Sequence, residues 1–303
     1  MSKRLKHIIF SIVLLFTIHF SLLYVFKKVE TKNEIVANFE QYEKNPEFQK
    51  FLFLGTSHTK RAIDTSIIHS SYSMAFYGQN NINAYYLLKH LLENYSDRFE
   101  YICLPNDFGY YSKRFSVNLD KMFFYKRFFD FHEYGILSDS RYKSIKESYY
   151  HKYLPYISLR YMLKSQKKRK GKEGMDFSLL TKQKRALSAY NYIDQEHGIK
   201  QVLDIYSPLA ITYLKKTIQL IKKHNKKAIF IKYPHSAALQ IEIENLGDYI
   251  HESDTLIEIS DFEMLDLSQA FLKHEEYFFD SHHLNKTGGT QTSLLIQEKL
   301  SGY

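Results

Sequence analysis

Three residue types that together could carry out acyl chemistry lie in two stretches at opposite ends of the chain. Near the front, Phe51-Leu52-Phe53-Leu54-Gly55-Thr56-Ser57-His58-Thr59-Lys60-Arg61 runs from an apolar stretch into a glycine, two hydroxyl residues and a basic segment. This is how a buried parallel strand reads where it hands over to a helix. A serine at such a corner sits at the carboxyl end of a strand, where open α/β sheets place their ligands. The helix start behind it offers backbone N–H groups to developing negative charge. Near the tail stands Phe278-Phe279-Asp280-Ser281-His282-His283-Leu284-Asn285-Lys286-Thr287-Gly288. With a spacing of three, the Asp280 carboxylate can hold the His283 Nδ1–H and leave Nε2 to take a proton from a serine. His282 competes with His283 for that assignment. The order Ser, Asp, His is also that of other sheet-based hydrolases.

Between these two stretches the chain alternates strand and helix, which predicts an α/β fold with a mostly parallel sheet. Strands are expected at Phe51–Gly55, Tyr72–Tyr77, Tyr101–Leu104 and Ala228–Tyr233, with Leu256–Ile259 and Met264–Leu267 as further short candidates. Helices are expected at Ala62–His69, Ile82–Tyr95, Leu209–His224 behind Ser207-Pro208, Ala238–His251 and Thr287–Leu300. Residues 108–206 break the alternation and read as an inserted helical segment rich in Tyr, Phe, Lys and Arg. Within it, Arg141–Tyr161 and Lys182–Gln195 look helical, and Ser165–Glu173 is a basic run, a solvated loop or a patch for anions.

Residues 1–28 read as a membrane anchor. Ile8–Phe26 runs 19 residues without a formal charge, enough to span a bilayer core of about 30 Å. A cleaved signal peptide is the alternative; the run is longer than such a segment needs and lacks an Ala-x-Ala site. Lys3, Arg4 and Lys6 precede the run, and Lys27 and Lys28 follow it. The balance favours an inside N-terminus and a domain outside the cytoplasm. Residues 29–50 are a polar helical spacer, and 51–303 the expected α/β domain.

The 303 residues carry a formal charge of +9, with 44% apolar residues, 26 Tyr, 23 Phe and no Trp. Such a chain can build a sizeable core, and its charge favours anionic partners. No nucleic-acid motif, zinc-ligand array or glycine-rich phosphate loop is found, so neither nucleic acid, a metal nor another cofactor is expected. The sole cysteine, Cys103, lies in an apolar run and reads as a buried small hydrophobe.

Gly55-Thr56-Ser57, Asn106-Asp107 and Asp280-x-x-His283-Leu284-Asn285 together resemble the blocks of the SGNH (GDSL-like) hydrolase superfamily. Thr56 stands where the family has an aspartate, and Leu104-Pro105 precede Asn106 where a glycine is usual. The resemblance implies a three-layer α/β/α sandwich of flavodoxin-like type, with Ser57 as nucleophile, His283 as base and Asp280 as its orienter. It also implies an oxyanion hole from the backbone N–H groups of Ser57 and Gly78 and an asparagine amide, Asn106 by block match or Asn80 from the loop after the second strand. Tyr233, Pro234 and His235 would line the pocket. With an anchor ahead of it, the layout is similar to proteins that move D-alanine onto teichoic acids or O-acetylate surface polysaccharides beside a membrane-bound O-acyltransferase. The implied function is an extracytoplasmic serine esterase or O-acyltransferase acting on a cell-surface polymer. The alternative is a catalytically weak scaffold for such an acyltransferase.

Overall fold

The computed structural model describes residues 2–30, 34–111, 128, 176–197, 207–245 and 252–303. The chain forms two compact units, Met1–Asn45 with Leu119–Gly171, and Pro46–Asn118 with Lys172–Tyr303. The expected helix Arg141–Tyr161, the basic run Ser165–Glu173 and the end of the expected helix Ala238–His251 lie outside the described residues.

In the first unit, α1 spans Lys3–Glu30 and α2 spans Glu34–Lys44. Residues Lys3–Lys28 of α1 are long and apolar enough to cross a membrane, the one such helix among the described residues. At about 1.5 Å per residue this segment exceeds the hydrocarbon thickness. On α2, Ile35, Val36, Phe39 and Tyr42 are buried at helical spacing, and the Phe39 ring meets Phe128 edge-on at 4.8 Å.

The second unit is α/β. Five strands, β1 (Phe51–Phe53), β2 (Ser71–Ser73), β3 (Tyr101–Pro105), β4 (Lys227–Lys232) and β5 (Glu263–Asp266), form one sheet in the order β2-β1-β3-β4-β5. Every pairing is parallel. From β1 the chain moves outward to β2, then returns past β1 to β3 and continues the other way. The order therefore reverses between β1 and β3, and the crevice beyond their carboxyl ends is the switch point where such sheets bind ligands. Ser57 follows β1 there, and Asn106-Asp107 follow β3.

The central strands β1, β3 and β4 are apolar runs buried on both faces, whereas the edge strands β2 and β5 are partly exposed. Phe51, Phe53, Cys103, Ile229 and Ile231 project to one side, into a core shared with Ile68, Phe278, Leu284, Ile296 and Leu300. Leu52, Ile102 and Phe230, one residue out of phase, are also fully buried. Burial pushes the Cys103 thiol far above its ordinary range, which leaves it an inert core residue.

Helices α3 (Ser57–Ala62), α4 (Asn81–Tyr95), α5 (Lys182–His197), α6 (Pro208–Lys223), α7 (Ala237–Glu244), α8 (Glu252–Glu258) and α9 (Lys286–Leu300) complete the unit. Two expectations are corrected. Leu256–Ile259 is no strand, for residues up to Glu258 belong to α8, and β5 alone extends the sheet. The helix expected over Ala62–His69 starts earlier, at Ser57, because the Thr56 side chain caps it by accepting from the His58 N–H at 3.2 Å. It stops at Ala62, and Asp64 then folds the chain into a turn by accepting from the Ser66 N–H and hydroxyl.

Helix α9 returns the tail to the front of the domain. Ser293 Oγ donates to the Ala62 carbonyl at 2.7 Å and accepts from the Asp64 N–H at 2.8 Å. Gly289 makes the close approach possible, since a Cβ there would lie 2.1 Å from the Arg61 carbonyl oxygen. Alanine in a helix ordinarily improves on glycine by about 1 kcal/mol. Gly289→Ala is expected to do the reverse, lowering the thermal midpoint by several degrees, because α3 must back away; a raised midpoint in a melting experiment would refute this packing.

Candidate active site

Each wall of the site comes from a turn that the local sequence fixes. Gly55 follows β1 at a φ of +142°. A side chain there would meet Thr59 Oγ1 at 2.3 Å and the Pro105 ring at 2.8 Å. Its N–H donates to Gln79 Oε1 at 2.6 Å, and Gln79 Nε2 donates back to the Met74 carbonyl at 3.2 Å. Fully buried, Gln79 thus clamps the turns after β1 and β2 together. Ser57 then opens α3, at the end of the helix where backbone N–H groups have no partner within the helix.

The tail segment is a closed loop. Phe278 and Leu284 pair as an antiparallel bridge, and the Phe279 N–H donates to the His283 carbonyl at 2.8 Å. Inside that loop, Asp280 Oδ1 accepts from the backbone N–H groups of His283 at 2.7 Å and His282 at 3.0 Å. Its other oxygen lies 2.9 Å from His283 Nδ1. The far ring nitrogen, Nε2, is 2.7 Å from Ser57 Oγ. Two groups 226 positions apart in sequence therefore share a hydrogen bond, with the carboxylate on the opposite side of the ring.

Burial depresses the His283 pKa, with the Asp280 hydrogen bond opposing it. The ring is held neutral at pH 7 and can accept a proton. Burial alone would raise the Asp280 pKa, but the His282 and His283 imidazoles and the hydrogen bonds to Oδ1 and Oδ2 outweigh it, and the group lies well below the usual carboxylate range. The competitor His282 is also depressed by burial, and well below its ordinary value. Its ring stacks on Tyr192 from α5, centroids 3.8 Å apart.

Of the oxyanion candidates, Gly78 adopts a φ of +68° in the turn after β2. Asn80 caps α4, its side-chain carbonyl accepting from the Asn83 N–H at 2.8 Å. Asn106 lines the cavity and makes a further contact. Its amide nitrogen donates to Asp254 Oδ1 at 2.6 Å and lies 3.4 Å from Met264 Sδ. A buried carboxylate needs donors, and Asp254 takes them from Asn106 and from Lys232 Nζ at 2.6 Å.

Three contributors went unassigned in the sequence. His58, beside Ser57, puts Nδ1 3.0 Å from Asp107 Oδ2, while Asp107 Oδ1 accepts from the Tyr233 N–H at 2.9 Å. A second imidazole–carboxylate couple thus stands next to the first, ring centroids 5.1 Å apart. Gln79 and Tyr192 are the others. Adjacency to Ser57 was the available signal for His58; nothing local marked Tyr192. His58, His282 and His283 also present ring nitrogens within 4.8 Å of one another, a donor set that suits a transition-metal ion. A cavity of about 290 Å³ opens beside His58, His282 and Tyr192 and extends past Tyr233, Pro234 and His235 towards Lys232 and Asp254.

No protein-family model matches the chain, and no curated protein matches it.

The depressed His283 pKa fixes a sign. Below its midpoint the ring is protonated and cannot accept from Ser57. The reactivity of Ser57 toward a phosphonate electrophile should be flat near neutrality and fall in acid with a midpoint below 6.5; a midpoint above that value would contradict the burial argument.

Proposed function

We propose that the second unit is a serine acyl-transfer enzyme of SGNH type, built as a three-layer α/β/α sandwich. The observation that carries this is the 2.7 Å hydrogen bond between Ser57 Oγ and His283 Nε2 with Asp280 on the other ring nitrogen. His283 takes the hydroxyl proton as Ser57 Oγ attacks an ester carbonyl. Asp280 holds the tautomer and stabilises the imidazolium that forms. The tetrahedral oxyanion is received by the backbone N–H groups of Ser57 and Gly78 and by an asparagine amide. We assign that amide to Asn80, since Asn106 is engaged by Asp254. Loss of one such donor costs about 10²–10³ in rate. The protonated His283 then returns its proton to the leaving alkoxide, which gives an acyl-Ser57 intermediate. Water or a sugar hydroxyl, activated by the same ring, releases the acyl group.

The setting supports a cell-surface substrate. Helix α1 is read as a retained anchor with its N-terminus in the cytoplasm, which holds the enzyme on the outer face of a membrane, beside a membrane-bound acyltransferase that supplies the acyl group. The chain's charge of +9 suits an anionic polymer such as a teichoic acid or acidic glycan. Among the described residues lining the cavity, however, Asp107, Glu244 and Asp254 face one cation, Lys232. The part of the substrate that enters the cavity is therefore not anionic, and attraction to a polyanion belongs to basic residues elsewhere.

A fluorophosphonate probe on the full chain in detergent tests the assignment. Labelling of the wild type is expected, with none in Ser57→Ala and a fall of at least about 10³-fold in rate in His283→Ala. Labelling that survives Ser57→Ala would remove Ser57 as the nucleophile.

A further inference from the structure

Three histidines meet beside the cavity, His58 and His282 lining it, and the reaction proposed above uses the third, His283. The rings of His58, His282 and His283 form a triangle, with centroids 4.1 Å apart for His282–His283, 5.1 Å for His58–His283 and 5.6 Å for His58–His282. An ion bound at about 2.0–2.1 Å to three imidazole nitrogens in tetrahedral angles holds ring centres about 5 Å apart. The two separations from His58 match that spacing and the His282–His283 pair is closer, and one ring nitrogen from each residue lies within 4.8 Å of the others.

The outer groups fit as well. Metal-binding histidines generally place the second ring nitrogen on a carboxylate, which fixes the ring and raises its basicity. Here His58 Nδ1 lies 3.0 Å from Asp107 Oδ2, and His283 Nδ1 lies 2.9 Å from Asp280 Oδ2. His282 Nδ1 lies 3.3 Å from Asp280 Oδ1 and 3.2 Å from Ser281 Oγ. In all three rings Nδ1 faces an outer partner, so the ligating atom is assigned to Nε2. The Tyr192 ring stacked on His282 holds the third ligand in place. Among the described residues, the Asp107 and Asp280 carboxylates stand against the guanidinium of Arg61, which sits over the Tyr77 and Phe279 rings, and this balance favours a cation.

We infer that His58, His282 and His283 form a binding site for a borderline divalent transition ion such as Zn²⁺. Hard cations such as Mg²⁺ and Ca²⁺ require oxygen ligands that this set does not offer. The bound ion takes the His283 Nε2 lone pair, which otherwise accepts from Ser57 Oγ. Metal binding and the Ser57–His283 hydrogen bond are mutually exclusive, so the ion is an off-switch for Ser57. The site itself stands whether or not Ser57 is ever acylated.

Untagged full-length chain in detergent, stripped of metal, is titrated with Zn²⁺ against a chromophoric chelator. One ion per chain is expected, undisturbed by excess Mg²⁺. His58→Ala and His282→Ala should each weaken binding tenfold or more. Asp107→Asn, which keeps every ligand, should weaken it by about 10–100-fold. X-ray absorption on the wild type, which needs no variant to fold, should show three imidazole nitrogens around the ion. In the same preparation Zn²⁺ should block fluorophosphonate labelling of Ser57, and chelator should restore it. Failure of the wild type to bind, a spectrum with fewer than three imidazoles, or variants that all bind like the wild type would overturn the site. Zn²⁺ bound on three imidazoles without any labelling of Ser57 would uphold it and sink the enzymatic assignment instead.

Discussion

The packing of α9 on α3 is the constraint on which the rest of the domain's chemistry depends. Ser57 lies on the first of these helices, and His283 lies three residues before the second begins. Their hydrogen bond holds only if the helices approach to backbone distance, which a bare glycine at position 289 and the bridging hydroxyl of Ser293 permit. Around that junction each turn is fixed by its own residues. Gly55 takes a backbone conformation closed to side chains, Gln79 ties it to the neighbouring turn, and Asp280 draws two backbone N–H groups onto one oxygen. These are local devices, and the parallel sheet sums them by bringing the ends of β1 and β3 to one crevice.

The electrostatics follow from the same burial. A partly enclosed imidazole loses its charged form unless a carboxylate supports it. His283 has such support from Asp280, His58 from Asp107 and His282 more weakly from Asp280. Three imidazoles packed this closely cannot all carry a charge at once. This is why the cluster suits either a proton taken from a hydroxyl or a lone pair given to a metal ion, and why the two uses exclude each other.

Much of the fold was legible because parallel strands are continuous apolar runs, and Phe51–Phe53, Tyr101–Pro105 and Lys227–Lys232 advertise themselves. The pairing of Ser57 with Asp280 and His283 was legible because the short Asp-x-x-His spacing and the Gly-Thr-Ser turn are local signals. Residues 256–259 misled, since Leu-Ile-Glu-Ile has strand composition, and capture in a helix from Glu252 depends on the fold around it. Asn106 was assigned by position in a motif, and its amide went to Asp254, a partner 148 residues away that no local pattern discloses. The role of Tyr192 was invisible for the same reason, since its contact with His282 exists only once α5 is docked.

The central claim is that the His283 ring carries its proton on Nδ1, toward Asp280, and turns the Nε2 lone pair to Ser57. Nitrogen-15 NMR of histidine-labelled, metal-free chain at pH 7.5, with His283 assigned by its loss in His283→Gln, reads that tautomer directly. The account predicts an Nδ1–H form with a downfield, hydrogen-bonded proton that moves upfield in Asp280→Asn. An Nε2–H tautomer, or a His283 signal that exchanges freely between both forms, would contradict it.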